Sequence, residues 1–118
     1  MLNHKKIIVV MPAYNAERTL QRTYEEIPDE IVDEVILVDD KSSDATAELS
    51  KSLGISTILH DNNLGYGGNQ KTCYRAALEK GADIVIMLHP DYQYTPLLLP
   101  SMINIIGEGL YPVVLWFR

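Results

Sequence analysis

Two short acidic motifs in this chain stand where an apolar run stops. Asp39-Asp40 closes residues 35–38, and His89-Pro90-Asp91-Tyr92-Gln93 closes residues 84–88. In the second motif His89, Asp91 and Gln93 alternate along an extended segment, so their side chains face one way. Carboxylate and amide oxygens suit Mg²⁺ or Mn²⁺, and an imidazole shifts the preference modestly toward Mn²⁺. Asp91 is the principal candidate ligand. His89 reads equally well as a residue hydrogen-bonded at a strand end. Asp39 and Asp40 repel each other unless a cation or hydrogen-bond donors compensate. Helix capping does not need them, because Ser42, Ser43 and Asp44 follow at once. Together the two clusters could hold a polar ligand and a divalent cation side by side, as a nucleoside diphosphate is gripped.

These motifs need elements that bring them to one edge. Residues 7–11 form a continuous β-branched run, as expected of a strand buried on both faces and ended by Pro12. Residues 34–38, 56–60 and 83–88 read as further strands, and 113–117 as a fifth. Between them, helices are expected after Asn15 as N-cap, after the Ser42-Ser43 caps, and from about residue 70 to Gly81. Another is expected after Thr95-Pro96, kinked at Pro100 or beginning near Ser101. This alternation predicts an α/β fold: a Rossmann-like open, mostly parallel sheet of about five strands with helices on both faces. Ligands in such sheets collect beyond the carboxyl ends of the strands, where both acidic motifs fall. Pro12-Ala13-Tyr14-Asn15 ends the first strand on that same edge. Tyr14 there could stack on a base, or simply pack on the surface.

The chain has 118 residues, enough for one domain with a real core and too few for two. A formal net charge of -6 argues against a nucleic-acid partner and against docking to anionic lipid. The single cysteine, Cys73, can form no internal disulfide and reads as a small core residue, consistent with a cytoplasmic location. No signal peptide is visible, and no run approaches the ~20 apolar residues of a membrane helix. His4 and His60 show no partner in the sequence and receive no role.

The segment Gly65-Tyr66-Gly67-Gly68-Asn69-Gln70-Lys71-Thr72 invites two nucleotide-loop readings. A P-loop needs glycine directly before Lys-Thr, and a dinucleotide fingerprint needs its third glycine at position 70; Gln70 defeats both. Gly65 and Gly67 still permit close approach of backbone to a ligand, or merely a tight turn into a helix.

In this order, Val10-Met11-Pro12-Ala13-Tyr14-Asn15, the run 35–40 with Lys41-Ser42-Ser43-Asp44, Asn63-Leu64-Gly65-Tyr66-Gly67 and the run 89–93 resemble family 2 glycosyltransferases. The likeness is to the nucleotide-sugar-binding part, in the subgroup of dolichyl-phosphate mannosyltransferase and other polyprenyl-phosphate sugar transferases. The resemblance implies a GT-A fold in which Pro12, Ala13, Tyr14 and Asp40 hold base and ribose. It implies that a divalent cation at the D-x-D position bridges the diphosphate while an acceptor oxygen, of a polyprenyl phosphate or a glycan, displaces it with inversion. Asp91 matches the second carboxylate of that motif, and His89 stands in place of the first.

Family members continue well past this length, so the chain is expected to be C-terminally truncated and poorly active alone. Trp116-Phe117, where the family commonly has small residues, would fit a one-base frame slip. A bare edge on the fourth strand is expected to promote a homodimer by strand pairing near residues 112–118. Two rivals remain: a non-catalytic nucleotide-binding or interaction module, and a phosphoacceptor receiver domain. The receiver wants its acidic pair after the first strand and an Asp after the third; here they follow the second and fourth.

Overall fold

Seven consecutive residues, Ile7–Ala13 (β1), carry no charge and are all buried, which only a strand covered on both faces allows. The structure, a computed structural model, describes residues 4–91, 96–101 and 103. Three more strands, Glu34–Asp39 (β2), Ser56–Leu59 (β3) and Ile84–Met87 (β4), join β1 in a sheet of order β3-β2-β1-β4. Every pairing is parallel, so all carboxyl ends lie along one edge. Beside β1 the chain order reverses, with β2 on one flank and β4 on the other, and this is where open α/β sheets form a crevice.

Period-two alternation sorts the side chains of β1 to two cores. Ile8 and Val10 meet Ile36, Val38 and the small residues Cys73, Ala76 and Ala77 of the helix Gly65–Glu79 (α3). Ile7, Val9 and Met11 face the opposite layer, where the helices Leu20–Glu25 (α1) and Thr46–Ser52 (α2) contribute Leu20 and Leu49. Leu99 and Ile103 close this layer, reached through a 3-10 turn at Pro96–Leu98. Pro100 lies inside the helical residues 99–101, so the helix does not wait for Ser101.

Four of the five expected strands are found among the described residues; the fifth, and the dimer contact expected at 112–118, lie outside them. Pro12 does not end β1. Its α-carbon is in register with Val38, and it is tolerated because its missing N–H faces the β4 side, where pairing stops at Val10–Met87. The helix starts also move. α1 begins at Leu20, not after Asn15; α2 at Thr46, not after Ser42 and Ser43; α3 at Gly65, not near residue 70. The expected caps at Asn15, Ser42 and Ser43 are instead committed to bonds between loops.

Candidate functional site

Asp39 ends β2 and Asp40 follows it, with their side chains spent differently. Asp39 is buried and accepts from the Ser42 N–H at 3.0 Å and from the Ser42 hydroxyl. The Ser42 hydroxyl oxygen in turn accepts from the Asn15 N–H at 2.8 Å, and Asn15 Oδ1 accepts from the Ser43 N–H at 2.8 Å. Asn15 adopts φ +51°, a left-handed conformation that asparagine tolerates better than most residues. These bonds tie the loop after β1 to the loop after β2. Two more reinforce the tie: Ala16 N–H donates to Thr46 Oγ1 at 2.8 Å, and Glu17 N–H to Asp44 Oδ2 at 3.3 Å.

Asp40 turns the other way, toward β3 and α3. Its Oδ1 accepts from Leu64 N–H at 2.8 Å and its Oδ2 from Gly65 N–H at 3.0 Å. His60 Nδ1 lies 2.8 Å from Oδ1, and His60 Nε2 lies 2.9 Å from Thr72 Oγ1. Burial opposes the charge on Asp40, but the hydrogen bonds from His60, Leu64 and Gly65 outweigh it and hold its carboxyl below the usual range. Asn63 Nδ2 adds a bond to the Asp40 carbonyl at 3.1 Å, which anchors the turn that supplies the Leu64 and Gly65 donors.

The loop after β4 is placed by α1. Thr19 Oγ1 donates to the Pro90 carbonyl at 2.6 Å, and the fully buried Thr23 Oγ1 lies 3.3 Å from the same oxygen. On its outer side, His89 stacks on Tyr66 with ring centroids 5.5 Å apart, and His89 Nε2 lies 3.0 Å from the Tyr66 hydroxyl.

One cavity of about 560 Å³ opens among these loops. Pro12 and Ala13 of β1 line it with Tyr14 just beyond, as do Asp40, Gly65, His89 and Asp91. Tyr14 is 55% exposed, so its ring is available to a ligand. Asn15, Asp39 and Gly67, also singled out in the sequence, do not line it; Asn15 and Asp39 fasten loops together. Gln93 lies outside the described residues. His60, Thr72, Thr19 and Thr23 carry the site's support and were not singled out. For His60 one signal was present: it directly follows β3, on the edge that holds every other candidate.

A second cavity, about 480 Å³, lies at the opposite edge by the amino ends of β2 and β3, lined by Glu34, Val35 and Ser56. None of the sequence-derived candidates reaches it.

Among the described residues no group of three His, Cys, Asp or Glu side chains could hold a metal ion as a protein cage. Asp91, with His89 beside it, instead suits a cation that keeps most of its shell as water and phosphate oxygens, the habit of Mg²⁺ and of Mn²⁺ in oxygen-rich sites. With a polar ligand in the cavity, that donor set fits.

A parallel α/β sheet with an aromatic ring and two carboxylates around its carboxyl-edge crevice is the arrangement in which open α/β domains hold their ligands. The glycosyl transferase family 2 profile matches residues 8–118, and the chain belongs to that family, with the GT-A fold. It is 34% identical over 95 residues to an uncharacterised protein of Methanocaldococcus jannaschii, covering 80% of the chain and 39% of that protein. It is 30% identical over 109 residues to UDP-N-acetylglucosamine–dolichyl-phosphate N-acetylglucosaminyltransferase of Methanococcus voltae, covering 78% and 43%. Among solved structures, it resembles glucosyl-3-phosphoglycerate synthase of Mycobacterium tuberculosis, in complex with Mn²⁺, UDP-glucose and phosphoglyceric acid. That match has 26% identity and a TM-score of 0.74, and covers 90% of this chain and 40% of the other. The chain thus spans about two fifths of each of these proteins. Among the described residues no helix is long and apolar enough to cross a membrane.

Proposed function

We propose that residues 1–118 form a single donor-binding unit of a glycosyltransferase, which holds a nucleoside-diphosphate sugar together with a divalent cation. The observation that carries this reading is the convergence of Tyr14, Asp40 and Asp91, from three different strand ends, on one cavity of about 560 Å³. Tyr14 offers its ring face to the base or ribose. Asp40, an ionised acceptor held by backbone donors, takes an N–H or O–H from the nucleoside. Asp91, with His89 beside it on the cavity wall, would hold the cation.

When bound, the cation supplies charge neutralisation on the departing diphosphate. An acceptor oxygen attacks the anomeric carbon as the bond from that carbon to the diphosphate oxygen breaks, inverting the centre. The acceptor class we assign is a polyprenyl phosphate, supported by the dolichyl-phosphate enzyme from Methanococcus voltae.

Isothermal calorimetry with UDP, GDP and their sugar conjugates, with Mn²⁺, Mg²⁺ or a chelator, tests the reading. Saturable binding of one nucleotide, strengthened by metal and weakened by Asp91→Ala, is expected. Absence of binding to every nucleotide in the presence of metal would refute it.

A further inference from the structure

We propose that His60 is a positioning residue of the nucleotide site: Nδ1–H holds the Asp40 carboxylate in its cavity-facing orientation, and Thr72 clamps the far side of the ring. The inference rests on the donor-site reading above and adds to it a residue that does not itself line the cavity.

Counting protons leaves one arrangement for the contact with Asp40. An ionised carboxylate has no hydrogen to give, so the 2.8 Å contact requires the proton on His60 Nδ1. At the other nitrogen two arrangements exist. Thr72 can donate its hydroxyl proton to Nε2 at 2.9 Å, or donate it to the Gly68 carbonyl at 3.2 Å while Nε2–H donates to Thr72. Both leave Nδ1–H on Asp40. The ring is nearly enclosed, with its side chain 9% exposed, and both nitrogens are occupied.

The bonds also close a loop through three elements. Asp40 follows β2, His60 follows β3, and Thr72 lies about two turns beyond the start of α3, whose leading N–H groups, at Leu64 and Gly65, bond to the same carboxylate. Without His60, Oδ1 keeps only the Leu64 donor, and the carboxylate gains freedom to turn about its Cα–Cβ bond. A histidine serving only to fill space would need neither nitrogen matched in this way.

The test uses His60→Asn, His60→Gln and His60→Ala in the full chain, titrated with UDP and GDP in the presence of Mn²⁺. The asparagine amide nitrogen takes the place of Nδ1 and can still donate to Asp40, whereas the longer glutamine amide takes the place of Nε2 and reaches toward Thr72. Losing a hydrogen bond to a charged group corresponds to about tenfold or more in affinity, which we expect for His60→Ala and His60→Gln; His60→Asn should stay within about threefold of the wild type. Melting temperatures are read in parallel: a purely structural role lowers binding of all three variants in step with their stability, and that result would overturn the inference. Wild-type affinity in His60→Ala, or equal affinities for His60→Asn and His60→Gln, would overturn it too. A wild-type chain that binds neither nucleotide removes the donor-site reading and this inference with it.

Discussion

The carboxylates of Asp39 and Asp40 are adjacent in the chain but separate in effect, and substitution should separate them experimentally. Asp40→Asn places an amide NH₂ against N–H donors at Leu64 or Gly65. We expect nucleotide affinity to fall by about tenfold or more by calorimetry. Asp39→Ala removes the acceptor for both donors of Ser42, and its cost should appear in urea unfolding as about 1–3 kcal/mol of lost stability. Acid dependence follows from the lowered carboxyls. At Asp44, burial opposes ionisation but is outweighed by bonds from the Thr46 hydroxyl and N–H and from Glu17 N–H. A carboxyl lowered in the folded state contributes stability above its unfolded pKa and loses it as pH falls through the folded value. Wild-type stability should therefore fall on acidification below about pH 4, and fall less steeply in Asp44→Ala, as followed by urea midpoints across pH. At this scale the sequence was readable where type and strand end coincided, as at Tyr14, Asp40 and Asp91. It was unreadable at His60, Thr19 and Thr23, whose partners within the site are twelve to seventy-one residues away and appear only once β3, α3 and α1 are docked.

At the scale of elements, the first turn of α3 presents two neighbouring glycines that should respond oppositely to alanine. A β-carbon on Gly68 would sit 2.7 Å from Leu64 Cβ, which is close to the backbone and cannot swing away. The turn that donates to Asp40 must then shift, so Gly68→Ala should lose both thermal stability and nucleotide affinity. A β-carbon on Gly67 meets nothing within 4 Å, and Gly67→Ala should stabilise the helix by up to about 1 kcal/mol in chemical unfolding. The strands were legible because 7–11 and 35–38 are apolar runs that only a doubly covered sheet accommodates. Helix starts were not. Asn15, Ser42 and Ser43 have the right chemistry for caps, but each instead bonds the neighbouring loop, and a single sequence does not reveal which of two good partners a side chain takes.

For the molecule as a whole, ligand binding and folding share one free-energy balance. A nucleotide present at 100 times its Kd should add about 2.7 kcal/mol to stability, and the melting midpoint should rise further with Mn²⁺ than with a chelator. Sheet order carries another consequence, this one for the protein's birth on the ribosome. β1 emerges first, yet its partners come later: β2 begins at Glu34, and Ile84 of β4 pairs with Ile7. At about 5–20 residues per second the nascent strand waits roughly 4–15 s with one side unmatched. Through that interval a greasy strand offers one unpaired edge to any neighbour, including sibling chains on the same message. Ribosome-stalled nascent chains with residues 1–80 exposed should accordingly recruit holdase chaperones and clump when these are depleted, whereas nascent chains exposed past Leu88 should not.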